Sequence, residues 1–369
     1  VLHDGIVRYV ASTLSSGEWC LWAGEDFLDT LMSVKQRPFS YTSLIIPGAC
    51  LLLGGAVGWF ARQPYFVNRD PVTGQQLRID GYRFISPLIA CDSPSDRSSA
   101  SLSKLEKTLE AQIAEYQTKG DISSASVFIR RLKTGEQISI NGAEKFFPAS
   151  LKKVPVMMSF FRLAQDRPQL LQTRGVLQGT VDYNQDVEIK PDEAPEYGKE
   201  YSIEELIAAM IVHSDNNGYQ VLAANLGEEG QRGIYEELNL SYPNDALEIT
   251  DFMTAPQFAL FFRSLYNASY LSETYSERAL ELMSNSAYKN GIRAGVPEAV
   301  TVANKFGVLT ITKDGSLNQR ELHDCGIVYA NGEPYILCIM TKSTNALSEV
   351  EKAIAEISQS VYKAATTGW

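Results

Sequence analysis

The sequence predicts an α/β fold: an antiparallel sheet flanked by the first and last helices of a C-terminal domain, a largely helical lobe between them, and one membrane helix ahead of it. Three observations carry this. Apolar residues recur at helical spacing at both ends of the domain, strand-like runs follow the first helix and precede the last, and 24 residues between Arg37 and Arg62 carry no charge. The order helix, strand pair, helical middle, strands, helix closes an antiparallel sheet beneath its terminal helices.

Residues 1–37 form a short N-terminal region, and 38–62 the membrane helix. At ~1.5 Å per residue such a stretch reaches across a hydrocarbon layer of ~30 Å. A buried core helix can be equally apolar but rarely excludes charge for this length, and Tyr41, Trp59 and Phe60 suit interfacial positions. Pro47 and the glycines at 48, 54, 55 and 58 argue against a straight helix. A retained anchor is expected rather than a cleaved signal, because 37 residues precede the stretch and no small-residue cleavage box follows it. Lys35 and Arg37 on one side balance Arg62 and Arg69 on the other, so charge leaves the orientation open. Cys91 ends a lipidation-like LIAC, yet no apolar export segment precedes it. Residues 63–100 are a juxtamembrane segment, read either as a packing segment or a small hairpin, and a Ser/Asp/Pro-rich linker.

The domain 101–369 opens with Leu102, Leu105, Leu109, Ile113 and Tyr116 on one helical face, ended by Gly120. ASVFIRRLKTGEQISI gives two strands around a turn at Thr134 and Gly135. The last helix runs from Ser348 to about Ala365, with Val350, Ile354, Ile357 and Val361 on one face. Before it, CGIVYANGEPYILC centres on Asn331-Gly332, a signal for a two-residue turn with positive φ angles. Pairing Ala330 with Glu333 sets Cys325 opposite Cys338 in a non-hydrogen-bonded pair, where side chains lie closest. That register permits a cross-strand disulfide in an oxidising compartment. Two small buried thiols are the commoner outcome for such residues.

With 33 basic against 44 acidic residues and a net charge of −11, no basic run is available to track phosphates, which argues against nucleic acid. GAVG and GEEG lack the strand–turn–helix setting of a nucleotide loop, and the five cysteines and three histidines show no metal spacing. No cofactor and no metal is expected, and nothing specifies an oligomer. His213 is read as ending a helix and His323 as preceding a hairpin strand, both structural.

Three polar clusters stand out. In KFFPASLKKVPVMM, Ser150 and Lys153 lie one helical turn apart, within reach of each other. A serine hydroxyl needs a base, and burial beside so apolar a helix favours the neutral amine that can act as one. Lys152 is expected to turn away. Ser101 with Lys104 and Ser360 with Lys363 share the spacing, but on amphipathic helices with solvated polar faces. A helix-capping serine beside a surface lysine is the alternative for Ser150 as well. Ser214, Asp215 and Asn216 follow a periodic helix, and the same residues fit a plain turn with Asn217 and Gly218 at its tip. Lys305, Phe306 and Gly307 sit in a strand-like run, where a lysine can meet an anion and glycine permits close approach.

In this order the three clusters resemble the motifs of the penicillin-recognising active-site serine enzymes, the class A β-lactamases and DD-peptidases, over about residues 101–369. FFPASLKK, VHSDNNGYQVL and GIRAGVPEAVTVANKFG, with a short strand loop before HDCGIVY, are closest to class A. The resemblance implies a β-lactamase/transpeptidase-like fold. It makes Ser150 the nucleophile, Lys153 its base and Ser214 the proton relay to the leaving nitrogen. Asn216 would orient substrate and lysine, Asp215 would tie down the loop, and Lys305, Phe306 and Gly307 would line the substrate site. The backbone N–H groups of Ser150 and Val308 would form the oxyanion hole.

Two departures matter. Phe306 replaces the family's usual Thr or Ser, removing a hydroxyl contact to the substrate carboxylate, and its ring is expected to reshape the pocket. The segment SYPNDALEITDFMT lacks the family's deacylating glutamate pattern and offers only Asp245, Glu248 and Asp251. The expectation is an acyl-enzyme former with slow, DD-peptidase-like turnover on a D-alanyl peptide or a β-lactam. An efficient β-lactam hydrolase and a degenerate cell-wall peptide-binding module are the alternatives. Such substrates place the domain outside the cytoplasm, held to the bilayer through residues 38–62.

Overall fold

Strand alternation at both ends of the domain builds a single five-stranded sheet, with its two faces buried against different helices. The structure, a computed structural model, describes residues 77–90, 100–242, 251–314 and 316–369. The expected membrane helix 38–62, most of the linker, and Asp245 and Glu248 lie outside the described residues. Among the described residues no helix is long and apolar enough to cross a membrane.

Short strands β1 (Leu77–Arg78) and β2 (Leu88–Ala90) pair as a hairpin. Its tip packs on the domain: the Glu277 carboxylate accepts the amides of Arg83, Phe84 and Ile85, and the Phe84 ring meets Tyr329 edge to face. Helix α1 (Ala100–Lys119) buries the five predicted apolar residues and ends at Gly120, which takes the positive φ of 80° that glycine tolerates. Strands β3 (Ser124–Arg131) and β4 (Gln137–Ile140) follow around the Thr134–Gly135 turn.

The middle of the chain supplies α2 (Lys153–Asp166), strands β5 (Arg174–Val176) and β6 (Glu200–Ser202), α3 (Ile203–Val212), α4 (Asn216–Glu237), α5 (Ala255–Tyr266) and α6 (Glu273–Ser284). Capping boxes start α3 at Ser202 with Glu205 and α5 at Thr254 with Gln257. Strands β7 (Val302–Lys313), β8 (Ser316–Val328) and β9 (Tyr335–Ser343) and helix α7 (Leu347–Thr367) complete the domain. The sheet order is β4-β3-β9-β8-β7, antiparallel throughout, with β7 at one edge. One face packs Leu322, Leu337 and Ile339 against α1 and α7; the other packs Ile327, Ile336 and Met340 against the helical lobe.

One expectation about the hairpins is corrected. The Asn331–Gly332 turn keeps the predicted register, with Glu333 N–H donating to Ala330 O, but only Gly332 adopts a positive φ, of 78°. The strand loop before HDCGIVY is short, spanning positions 314–315, and the strands it joins pair as a long ribbon from Val308 and Leu322 to Lys313 and Ser316. Cys325 and Cys338 face each other as the register required, with Cα atoms 4.0 Å apart, and they form a disulfide rather than two free thiols.

Candidate active site

The sequence FFPAS forces a tight turn against the sheet. Ala149, with φ of 48°, is a non-glycine residue in the left-handed region, a conformation that costs ~1–3 kcal/mol and persists only where its surroundings impose it. It opens a 3-10 turn, Ala149–Lys152, closed by Leu151 N–H donating to Pro148 O at 2.9 Å, which feeds directly into α2. Ser150 therefore stands partly exposed at the mouth of an otherwise buried helix. What lets the turn sit so close to the sheet is Gly307 on β7. A Cβ there would lie 2.8 Å from Pro148 O, 2.9 Å from Ser150 N and 3.0 Å from Leu151 N. Gly307→Ala is expected to push the Ser150 amide away from Val308, the next residue on the edge strand. A displaced oxyanion donor costs about 10²–10³-fold in rate, and acylation kinetics on the folded variant would read that loss.

Lys153 is 1% exposed and its Nζ donates to Ser214 O at 2.6 Å, Asn216 Oδ1 at 2.7 Å and Ser214 Oγ at 3.1 Å. Lys305, fully buried on β7, donates to the same Ser214 Oγ at 2.8 Å. One hydroxyl thus bridges two lysines brought from different layers of the fold. Ser214 itself has φ of 59°, a second non-glycine residue in the left-handed region, and it swings the chain from α3 into α4. Lys152 lies instead over the Phe147 ring, 4.6 Å from its centroid.

Burial lowers the Lys153 amine to about 7, with Asp215 opposing and Lys152 adding to the shift. Burial, and next to it the charge of Lys153, also hold Lys305 well below the usual lysine range, while Asp324 acts in the other direction. Two buried cations cannot share one hydroxyl cheaply, so the pair readily gives up a proton near neutrality. A neutral Lys153 amine in this position can accept a hydroxyl proton, and Ser214, bonded to both lysines, can pass a proton on.

The structure brings Ser150, Lys153, Ser214, Asn216, Lys305, Gly307 and Val308 to one region between edge strand β7 and the helical lobe. Phe306 behaves differently from the expectation of a ring reshaping the pocket. It is 4% exposed, stacks on Tyr288 with centroids 4.1 Å apart, and lies 4.4 Å from Lys305 Nζ, so it packs beneath the lysine. Asn217 and Gly218 are not the tip of a turn; they are buried in the first turn of α4, capped by the Asp215 carboxylate. Asp251 is taken up by an ion pair with Lys342 at 2.5 Å.

Sequence reasoning passed over two supports of this cluster. Asn184, 6% exposed, accepts the Asn216 amide at 2.8 Å and donates to Asp215 Oδ1 at 2.7 Å, locking the loop that presents Ser214. Farther along the same segment, Glu188 pairs with Arg320 on β8 and accepts from Thr310 on β7, strapping the segment to the long ribbon beyond Val308. Nothing in DYNQDVE marks these residues; only the fold supplies their partners.

A family model described as "Beta-lactamase enzyme family" matches residues 104–365. The chain belongs to the beta-lactamase enzyme family. It is an active-site serine enzyme of the β-lactamase/DD-peptidase type. Among solved structures, PBP-A shares the fold with a TM-score of 0.60 at 21% identity, covering 74% of this chain and 99% of PBP-A. A β-lactamase from Sphaerobacter thermophilus gives a TM-score of 0.59 at 21% identity over 71% of this chain and 97% of its own. A class A β-lactamase from Mycobacterium abscessus gives 0.55 at 20% identity over 70% and 98%. No curated protein sequence matches the chain significantly.

Proposed function

We propose that this family member forms an acyl-enzyme at Ser150 with a D-alanyl peptide or a β-lactam and releases it slowly, as a DD-peptidase-like enzyme. The observation that carries the reading is the buried Lys153 amine, held by Ser214 and Asn216 beside the Ser150 turn, with no carboxylate among its hydrogen-bond partners in the described residues. Ser150 Oγ attacks the amide carbonyl, Lys153 takes its proton, and the N–H groups of Ser150 and Val308 receive the developing oxyanion. The C–N bond breaks as Ser214 delivers the proton to the leaving nitrogen, and the Lys305 charge draws the substrate carboxylate. Water or an amine then takes the acyl group. Rapid release needs a group that activates water, and Asp251 is held in an ion pair with Lys342.

PBP-A, similar in fold, has been solved in variant form as an acyl-enzyme complex with penicillin G, which supports the same class of covalent donor here. Mass spectrometry of the protein incubated with penicillin G tests the reading through the site and lifetime of the adduct. A long-lived adduct on Ser150 is the expected result. Fast turnover would make the protein an efficient β-lactam hydrolase, and absence of any adduct would make it a binding module.

The same reading puts the domain on the external face of a membrane, anchored by residues 38–62. The buried Cys325–Cys338 bond suits an oxidising compartment. Protection of the domain from added protease in intact cells would overturn this placement.

A further inference from the structure

The Ser150 turn is fastened to the sheet by two buried side chains outside the three motifs. Glu321 and His323 are 1% and 0% exposed and lie two residues apart on β8, hence on one face of the sheet. Phe147, three residues before Ser150, offers them both halves of its main chain. Its N–H donates to Glu321 Oε2 at 3.1 Å, and its C=O lies 3.0 Å from His323 Nε2. The direction of the second bond is fixed elsewhere. His323 Nδ1 accepts the Thr341 amide at 3.2 Å, so Nε2 carries the proton and donates to Phe147 O. The Glu321 carboxylate lies 3.3 Å from the same Nε2 and accepts from Gln319 through its other oxygen, and the Phe146 ring packs edge to face on the imidazole.

The register explains why these two residues reach the turn. His323 pairs with Gly307, the residue whose missing side chain lets Pro148–Leu151 lie on β7. The gap left by the glycine is filled by the turn, and the histidine beside it holds Phe147, which leads into the turn. The proposed oxyanion hole takes one donor from the turn, at Ser150, and one from β7, at Val308. Its width is therefore set by how the turn is seated on the β7–β8 pair.

We infer that Glu321 and His323 are positioning residues that clamp the Phe147 peptide and thereby hold the Ser150 amide in register with Val308 for stabilising the tetrahedral intermediate. The kinetic part of this inference rests on the acyl-enzyme reading of Ser150; the clamp itself does not.

Two measurements on the full chain separate these. Hydrogen exchange of the peptide covering residues 146–151 is expected to quicken at least ~10-fold in His323→Ala, because an amide freed from its seat exchanges by local opening. Acylation by a fluorescent penicillin is expected to slow by about 10-fold or more, since misplacement of the order of 1 Å costs up to ~10²-fold. Reversible affinity before acylation should stay within about threefold, as interactions made only in the transition state require. Phenylboronic acid, whose tetrahedral adduct uses the same donors, should lose affinity in parallel. His323→Gln, which keeps an N–H donor at similar reach, should restore both rate and exchange, whereas His323→Phe, which keeps the ring volume without the donor, should not. The Phe variant also serves if the alanine variant fails to fold. Unchanged exchange at 146–151 in a folded His323→Phe protein would overturn the clamp, and unchanged acylation alongside quickened exchange would overturn its kinetic part. If the unsubstituted protein forms no adduct, the acyl-enzyme reading fails while the exchange experiment still decides the clamp.

Discussion

Replacing Ser150 with alanine is expected to abolish covalent labelling by penicillin G, lowering acylation by about 10⁴–10⁶-fold, the scale seen when an activated serine nucleophile is removed. The size follows from how few hydroxyls the site contains. Ser214 is the other serine of the cluster, and its Oγ already lies 3.1 Å from Lys153 and 2.8 Å from Lys305. An oxygen shared by two buried amines relays protons but is poorly placed to attack. The Ser150 side chain, by contrast, is tied to none of the described residues by a hydrogen bond and stands partly exposed at the end of α2. Its removal should therefore leave the thermal unfolding midpoint nearly unchanged, within the ±0.5 kcal/mol or so typical of substitutions that break no packed contact. Intact-mass measurement before and after incubation checks both the loss and its site. An adduct of undiminished yield on the alanine variant would place the nucleophile elsewhere.

The second large effect concerns Lys153 and pH. Burial holds this amine at about 7, and the competent form of a base is the neutral one. The sign follows directly. Acylation should rise as pH passes upward through about 7 and fall about tenfold per pH unit on the acid side. Lys153→Arg fixes the charge at every accessible pH and is expected to lower acylation by about 10²–10⁴-fold, the contribution typical of a positioned general base. A guanidinium also needs more room than the three acceptors around Nζ leave, so Lys153→Met, apolar and of similar length, is the companion variant. Removing the Lys153 charge should in turn raise the amine of Lys305, which Lys153 depresses. Single-turnover acylation from pH 5 to 9 reads these outcomes, and a flat profile in the unsubstituted protein would remove Lys153 from the role of base.

The helices and strands of the domain were legible because their signals are local. The face of α1 from Leu102 to Tyr116 and that of α7 from Val350 to Val361 are written as apolar spacing, and both are buried where that spacing places them. The β8–β9 register, and with it the Cys325–Cys338 pairing, follows from counting outward from one Asn-Gly turn. Where local signals were read too literally, tertiary context prevailed. Asn217 and Gly218 look like a turn tip, but Asp215 caps the helix through them.

The sequence alone determined the order of the elements and the three polar motifs that meet at the candidate site, because helical spacing, strand alternation and a serine one turn from a lysine are properties of neighbouring residues. Tertiary structure decided which groups meet. Lys305 reaches Ser214 across 91 residues, Asn184 locks Asn216 across 32, and Glu321 and His323 reach Phe147 across 174 and 176. Hydrogen bonds and electrostatic shifts act over a few ångströms of space, whereas the sequence orders residues only along the chain, so the depressed lysines and the seat of the serine arise only when the sheet and the helical lobe close on one another.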